Sequence, residues 1–176
     1  MSGQKRKSVN RTFRVDQAAL EITEKDAKDK NISTNTLVNQ LLLAYANFDR
    51  YYEQFPMIKI FSSVFRDLLE GVSEDYAKRA GKDLARNLVR AVIVSRRGEV
   101  NLSTLLDQFR LVSNYSGIFT FKESEVSGKK ILTLYHRFGM KGSFYFGAYL
   151  VALFELVNMQ PRLTLTDNSI QATLES

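Results

Sequence analysis

A short alternating segment near the N-terminus places the strongest constraint on how this chain can fold. Residues 9–15 read VNRTFRV, in which polar and apolar side chains take turns, as in a half-buried strand. The two faces of such a strand are Val9, Arg11, Phe13 and Val15 on one side and Asn10, Thr12 and Arg14 on the other. A strand needs a partner for its backbone groups, and two-stranded ribbons are marginal in water. Because a helical pattern follows at once, with no hairpin turn, the simplest partner is the same strand of a second chain.

Two helical patterns follow this segment. From Gln17 to Lys30 apolar residues recur at helical spacing on a narrow stripe, and Asp16 is placed to cap the first turn. A second helix with a wide apolar face, capped by Ser33, is predicted from Thr34 to about Phe48, and the pattern allows the helix to run on to about Tyr52. Its first turn contains no acid, so its free amides are open to an anion such as a phosphate. Ser and Thr caps are common, however, and most of them bind nothing.

The order of basic strand, helix, N-I-S-T-N-T turn and apolar helix resembles the ribbon-helix-helix DNA-binding domains of the Arc, MetJ and CopG type. The resemblance covers roughly residues 9–49 and depends on F-R-V before the first helix, on Ala27 six residues before Ser33, and on Leu37-Val38 after it. The first helix departs from the family, since Thr23 and Asp26 stand where bulkier apolar residues are usual. In that family two chains pair their strands into an antiparallel ribbon that lies in the major groove of DNA.

The resemblance implies specific roles for the residues of the segment. The outward side chains Asn10, Thr12 and Arg14 would contact base edges, while Phe13 and Val15 would face the core. The hydrogen-bonding groups of these side chains suit base contacts. Arg can donate to O6 and N7 of the same guanine, Asn can pair with adenine, and Thr can contact either base. The expected phosphate contacts are Lys5, Arg6, Lys7, Arg11, Ser33, Thr34 and Asn35. The implied function is a homodimeric transcriptional regulator on double-stranded DNA, and regulators of this type usually repress by occupying an operator.

The charge of the chain favours a polyanionic partner. The 176 residues carry a formal net charge of +6, and the first fifteen residues hold five Lys or Arg and no acid. The absence of cysteine excludes disulfides, thiolate metal sites and cysteine nucleophiles. With a single histidine in addition, we expect no metal and no cofactor. The longest uncharged apolar run, from Ser143 to Leu153, is too short to span a bilayer, so we expect a cytoplasmic protein without membrane contact.

The predicted organisation has three parts. Residues 1–8 form a basic flexible arm, residues 9–52 the ribbon-helix-helix domain of an intertwined dimer, and residues 57–176 an effector or oligomerisation domain, with Pro56 at the boundary. The C-terminal part is helix-rich with a small antiparallel sheet, so the expected fold class is α+β. Its predicted helices are 57–70, 74–95, 101–112 and 143–157, and its predicted strands are 118–121, 131–135, 162–166 and 170–174.

Two features of the C-terminal part are candidates for binding. His136 ends a predicted strand that leads through glycines into a helix, and His136, Arg137, Lys141 and Ser143 could hold an anionic effector. A tight structural turn with a hydrogen-bonded histidine is the more common arrangement. The second feature is a basic cluster that is either a solvated helix face or a second contact to the DNA backbone: Lys78, Arg79, Lys82, Arg86, Arg90, Arg96 and Arg97.

Two other functional classes remain open. One is an antitoxin-like protein whose C-terminal half neutralises a partner protein, and the other is an architectural or plasmid-maintenance protein that coats DNA. The basic cluster would favour the second class if it also bound DNA. The glycine spacing of a P-loop is missing from residues 139–143, and the sequence offers no nucleophile–base or carboxylate pair, so we do not expect an enzyme.

Overall fold

The computed structural model describes residues 9–55 and 58–174, which form an α+β protein. The chain divides between Leu43 and Ala44 into two compact units. The first unit contains helix α1 (Gln17–Asp29) and all but the last residue of helix α2 (Thr34–Ala44). The predicted arm, residues 1–8, lies outside the described residues.

The strand expected at residues 9–15 is absent from this single chain. These residues have no regular secondary structure, and the four strands of the described part all lie in the C-terminal unit. The physical reason is that a strand exists only with a partner for its backbone groups, and residues 9–15 have none within one chain.

The C-terminal unit begins with the last residue of α2 and continues into a mostly helical segment. A π-helical turn (Tyr45–Asp49) and the short helix α3 (Arg50–Tyr52) come first. The sequence assigned Phe48 and Tyr52 to the N-terminal domain, but Phe48 belongs to the core of this unit and Tyr52 packs against that core. The remaining helices are α4 (Ser62–Glu70), α5 (Glu74–Asp83), a second π-helical turn (Leu84–Val89), α6 (Arg90–Arg97), α7 (Leu102–Tyr115) and α8 (Gly139–Glu155).

Four antiparallel strands form one sheet in the order β1-β2-β4-β3. They are β1 (Thr120–Val126), β2 (Lys129–Tyr135), β3 (Arg162–Thr166) and β4 (Ser169–Leu174). The predicted hairpin around Ser127-Gly128 is confirmed, since Val126 pairs with Lys129 across it. Both turn residues have positive φ angles, 52° and 75°, as a two-residue hairpin turn of the favoured type requires.

Several predicted boundaries need correction. Helix α8 begins at Gly139, four residues before the predicted start, because Gly139 adopts a φ of 66° that lets the chain turn directly into the helix. Helix α4 begins at Ser62, after an irregular segment, and not at residue 57. The predicted helix 74–95 is confirmed as helical, with a π-helical turn in its middle.

Helix α8 is the centre of the C-terminal unit. Ten of its seventeen residues are buried, and it packs against α5, α4 and the sheet. Its sequence is apolar nearly all round, as expected of a helix with neighbours on several sides. Side chains from alternate positions of β2 and β4, including Leu132, Leu134, Ile170 and Ala172, complete the core against it.

The closest approach in this packing is between α5 and α8 at Gly81. A Cβ atom on Gly81 would lie 2.1 Å from the backbone oxygen of Tyr145, which is far inside van der Waals contact. Neither atom belongs to a flexible side chain, so a larger residue would force the two helix backbones apart. Gly81 is therefore required for this contact.

We predict that Gly81→Ala lowers the free energy of unfolding by about 2–4 kcal/mol, because overpacking between two backbones cannot be relieved by a rotamer change. Urea denaturation of the purified variant measures this loss. The matched control is Gly71→Ala at the end of α4, where the added Cβ would find its nearest neighbour at 3.6 Å. The control should change stability by less than about 1 kcal/mol. Equal effects of the two substitutions would contradict this packing.

Candidate nucleic-acid interface

The caps of both N-terminal helices are formed by the residues predicted to form them. The amide of Ala19 donates to Asp16 Oδ1 over 3.1 Å, and the amide of Thr36 donates to Ser33 Oγ over 3.1 Å. The amides of Thr34 and Asn35 have no intrahelical acceptor, since they belong to the first turn. No acid lies in that turn. The start of α2 thus keeps unbonded amides at the positive end of the helix dipole.

The N-terminal unit buries very little of its apolar surface. Ala27 and Leu37 are its only buried hydrophobic residues among those described. Phe13 is 69% exposed, Ile22 63% and Leu41 58%. A unit of this size with two buried hydrophobic side chains lacks the core that would offset its loss of conformational entropy.

Each residue of the predicted reading face is accessible. Asn10, Thr12 and Arg14 are exposed, and so are Arg11 and Asn35. Ser33 is also exposed, but its hydroxyl is engaged by the cap and by the hydroxyl of Thr36 at 2.8 Å. Thr34 is half-buried, and the other predicted phosphate contacts, Lys5, Arg6 and Lys7, lie outside the described residues.

The second basic cluster is not a continuous cationic surface. Lys78 pairs with Glu74 at 2.5 Å, Arg86 with Glu155 at 2.8 Å, and Arg97 with Asp107. These are exposed pairs that contribute little to stability, but they neutralise the cations concerned. Lys82 and Arg90 are exposed, and no hydrogen bond or ion pair involves them within the described chain.

Arg96 was placed wrongly in this cluster, because its side chain is 6% exposed and points inward. Its guanidinium donates to Gln108 Oε1 over 2.7 Å and to Asp107 Oδ2 over 3.2 Å, and Gln108 Nε2 donates to Tyr52 Oη over 2.8 Å. Burial raises the pKa of Tyr52 to about 12 and lowers the pKa of Arg96. This buried polar network joins α3 to α6 and α7. Sequence reasoning missed it because its members are far apart along the chain.

The four residues of the predicted anion site separate into a buried pair and two outer cations. His136 and Ser143 are buried and hydrogen-bonded, with 2.9 Å between Nε2 and Oγ. Arg137 is exposed and Lys141 is half-buried. A shallow pocket of about 130 Å³ is lined by residues 117–120 and 135–137, so it includes His136 and Arg137 but not Lys141 or Ser143.

The hydrogen bonds around His136 determine its tautomer. The amide of Phe138 donates to Nδ1 over 3.2 Å, which places the ring proton on Nε2. That N–H donates to the Ser143 hydroxyl, which in turn donates to the carbonyl of Thr166. The chain of bonds connects the end of β2, the first turns of α8 and the end of β3. Ser143 therefore has its proton engaged with a backbone carbonyl, and His136 has no free acceptor nitrogen facing it.

Gly142 makes this arrangement possible. A Cβ at this position would lie 2.5 Å from Cβ of Phe138 and 3.0 Å from Cε1 of His136. The pattern of His136 followed by two glycines and a serine was visible in the sequence. Its geometry supports the structural turn with a hydrogen-bonded histidine that was the alternative to an anion site.

The described residues offer neither a metal site nor a membrane span. No three His, Asp or Glu side chains come together there as metal ligands would. No helix within residues 9–55 and 58–174 combines the length and the apolar character that crossing a bilayer requires. Comparisons with protein-family models, curated proteins and solved structures found no match.

We predict a pH dependence of stability that originates at His136. Burial lowers the pKa of His136 from 6.5 to about 4, so the folded state binds fewer protons than the unfolded chain between these values. The contribution is complete above pH 6.5 and is lost as the pH falls towards 4, by roughly 2–3 kcal/mol. Urea denaturation at a series of pH values measures it.

The control for this prediction is His136→Gln, which cannot titrate in that range. The difference in unfolding free energy between the native protein and the variant should shrink from pH 7 to pH 4.5. Parallel profiles for the two proteins would show that His136 is not the titrating group.

Proposed function

We propose that this chain is a dimeric DNA-binding regulator that places a two-stranded β-ribbon in the major groove. The observation that carries the proposal is the uncovered apolar surface of the N-terminal unit. Val9, Phe13 and Val15 are exposed before α1, and Leu41 and Leu42 are exposed on α2. Soluble proteins seldom leave so many large apolar side chains uncovered in so short a segment unless a partner covers them.

A second copy of the same chain fits this requirement best. Pairing residues 9–15 with their counterpart would satisfy the backbone groups of both strands. The same association would bring Phe13 and Val15 of each chain onto a shared core with the exposed faces of α1 and α2. A two-fold axis makes the contact self-complementary, so a single sequence can supply both sides.

The alternation of polar and apolar residues in segment 9–15 then determines which side chains lie on its outer face. With Phe13 and Val15 inward, the side chains of Asn10, Thr12 and Arg14 from both chains project outward together. Amide, hydroxyl and guanidinium groups are the types that read base edges in the major groove. Lys5, Arg6, Lys7 and Arg11 supply positive charge beside them, and the free amides of Thr34 and Asn35 suit a phosphate.

Repression follows from occupancy. A dimer bound in the major groove at an operator excludes other proteins from that site. The C-terminal unit, which has its own core, would then serve further assembly or the sensing of an effector.

We predict that Arg14→Ala weakens binding to the cognate site by about 1–3 kcal/mol and relaxes base preference at the contacted position, because a bidentate base contact is lost. Competition binding against a panel of single-base variants of the site measures both effects. Lys7→Ala is the matched control, since Lys7 precedes the strand and is proposed to contact phosphate only. It should weaken all sequences alike and reduce the salt dependence. Unchanged discrimination in Arg14→Ala would refute the reading face.

We predict that Phe13→Ser shifts the protein from dimer to monomer, because Phe13 would lie in the shared core of the ribbon. Sedimentation velocity over a range of protein concentrations measures the shift. Phe61→Ser is the matched control, since Phe61 of the C-terminal unit is 82% exposed and Phe13 is 69% exposed. The control should remain dimeric. Dissociation caused by the Phe61 substitution alone would place the dimer interface in the C-terminal unit.

A further inference from the structure

The sheet of the C-terminal unit has one covered face and one open face. Alternate side chains of its strands, such as Leu132, Leu134 and Ile170, point towards the helices and are buried. Helix α7 contacts β1, and helix α8 packs against β3 and β4. The other alternate positions form the open face, where most side chains are exposed to solvent. No helix of the C-terminal unit covers them.

The chemistry of the open face is unusual for this chain. The strand register gives it fourteen positions, of which three are Lys or Arg, seven are Ser or Thr, and none is Asp or Glu. The chain as a whole holds 19 Asp and Glu, and two of them, Glu123 and Glu125, lie in β1 itself. Both occupy the alternate positions of that strand, which belong to the helix side.

Strand alternation places both acids of β1 on the helix side, and one of them is paired there. Glu123 forms ion pairs with Arg110 of α7 at 2.5 Å and with Lys130 at 3.9 Å. Two cations are thereby held on the helix side together with the carboxylate. Lys122 and Arg162 of the open face form no ion pair with any of the described residues.

An exposed aromatic ring lies beside one of these cations. Tyr135 is 45% exposed, and Nζ of Lys122 lies 5.5 Å from the centre of its ring. An aromatic ring next to an ammonium group offers a base a surface for stacking and its phosphate a counter-charge. Tyr135 also lines the shallow pocket that contains Arg137, so a further cation lies at this end of the face.

We propose that the open face of the sheet binds single-stranded nucleic acid. The face of a four-stranded sheet is too broad to enter a groove of a duplex, but it can support unstacked bases, which stack on its aromatic side chains. Lys122, Arg162 and Arg137 contact phosphates, Tyr135 stacks on a base, and the Ser and Thr hydroxyls bond sugars and base edges. This site is separate from the N-terminal segment and does not rest on the proposed ribbon.

Charge complementarity decides among the ligand classes. A surface that carries Lys122 and Arg162 and has no acid at its described strand positions attracts a polyanion, whereas a protein partner would require apolar side chains that this face mostly lacks. Duplex DNA would meet the cations but would leave the Tyr135 ring without a base to stack on. The exposed ring therefore favours the single strand.

The experiment measures the binding of full-length protein to a labelled oligothymidylate of about 20 nucleotides, by fluorescence anisotropy over a range of salt concentrations. The Lys122→Ser/Arg162→Ser variant should bind on the order of tenfold more weakly. Its salt slope should fall by about 1.4, at about 0.7 for each phosphate contact on a single strand. Tyr135→Ala should lose at least about fivefold, while Tyr135→Phe should bind like the native protein, because it keeps the ring.

Two matched controls make the outcome specific. The Lys82→Ser/Arg90→Ser variant removes the same charge from an exposed helix face and should bind the single strand as the native protein does. The Asn10→Ala/Arg14→Ala variant removes the proposed ribbon contacts and should also keep its single-strand binding.

Other outcomes would overturn the proposal. Native-like single-strand binding by Lys122→Ser/Arg162→Ser would do so, and so would an equal loss in Lys82→Ser/Arg90→Ser. If Lys122→Ser/Arg162→Ser lost duplex binding but kept single-strand binding, the sheet face would instead contact the backbone of duplex DNA. Single-strand binding that is lost only in Asn10→Ala/Arg14→Ala would assign it to the N-terminal segment. Because the ribbon and sheet variants are measured separately, either function can fail without the other.

Discussion

Every extended segment needs a partner for its backbone amides and carbonyls, and this constraint separates the two parts of the chain. In the C-terminal unit four strands satisfy one another in an antiparallel sheet. At residues 9–15 an alternating segment of the same kind has no partner, and its apolar side chains are exposed along with those of α1 and α2. A strand from a second chain would resolve both deficits at once, which is why we propose that this segment mediates dimerisation and contacts DNA.

The C-terminal unit depends on one buried helix. Helix α8 lies against α5 at Gly81, where the backbones approach too closely for any other residue, and against the buried face of the sheet. The bonds from His136 through Ser143 to Thr166 fix its first turns to two strand ends. Since the helices gather on one side, the opposite face of the sheet is open. The absence of acids from the described strand positions of that face underlies the function that we propose for it.

The sequence predicted the parts of this structure that depend on local patterns. The caps at Asp16 and Ser33, the turn at Ser127-Gly128 and strand β3 all depend on neighbouring residues, and the structure confirms them. What depends on distant residues was not predictable. The inward turn of Arg96 requires Gln108 and Asp107 on another helix, and the cluster of exposed cations was overestimated because Glu155 reaches Arg86 from far along the chain. The side chains of the open sheet face could not be grouped from the sequence, because the pairing of the strands determines which of them lie side by side.

The most direct test of the dimeric ribbon is selection of bound duplexes from a random DNA library by the purified full-length protein. Two chains related by a two-fold axis should enrich a short motif repeated in inverted orientation at a fixed spacing. The same selection with Asn10→Ala/Arg14→Ala should lose that motif. Enrichment of a single unrepeated motif, of no motif, or of the same motif by the variant would contradict the account.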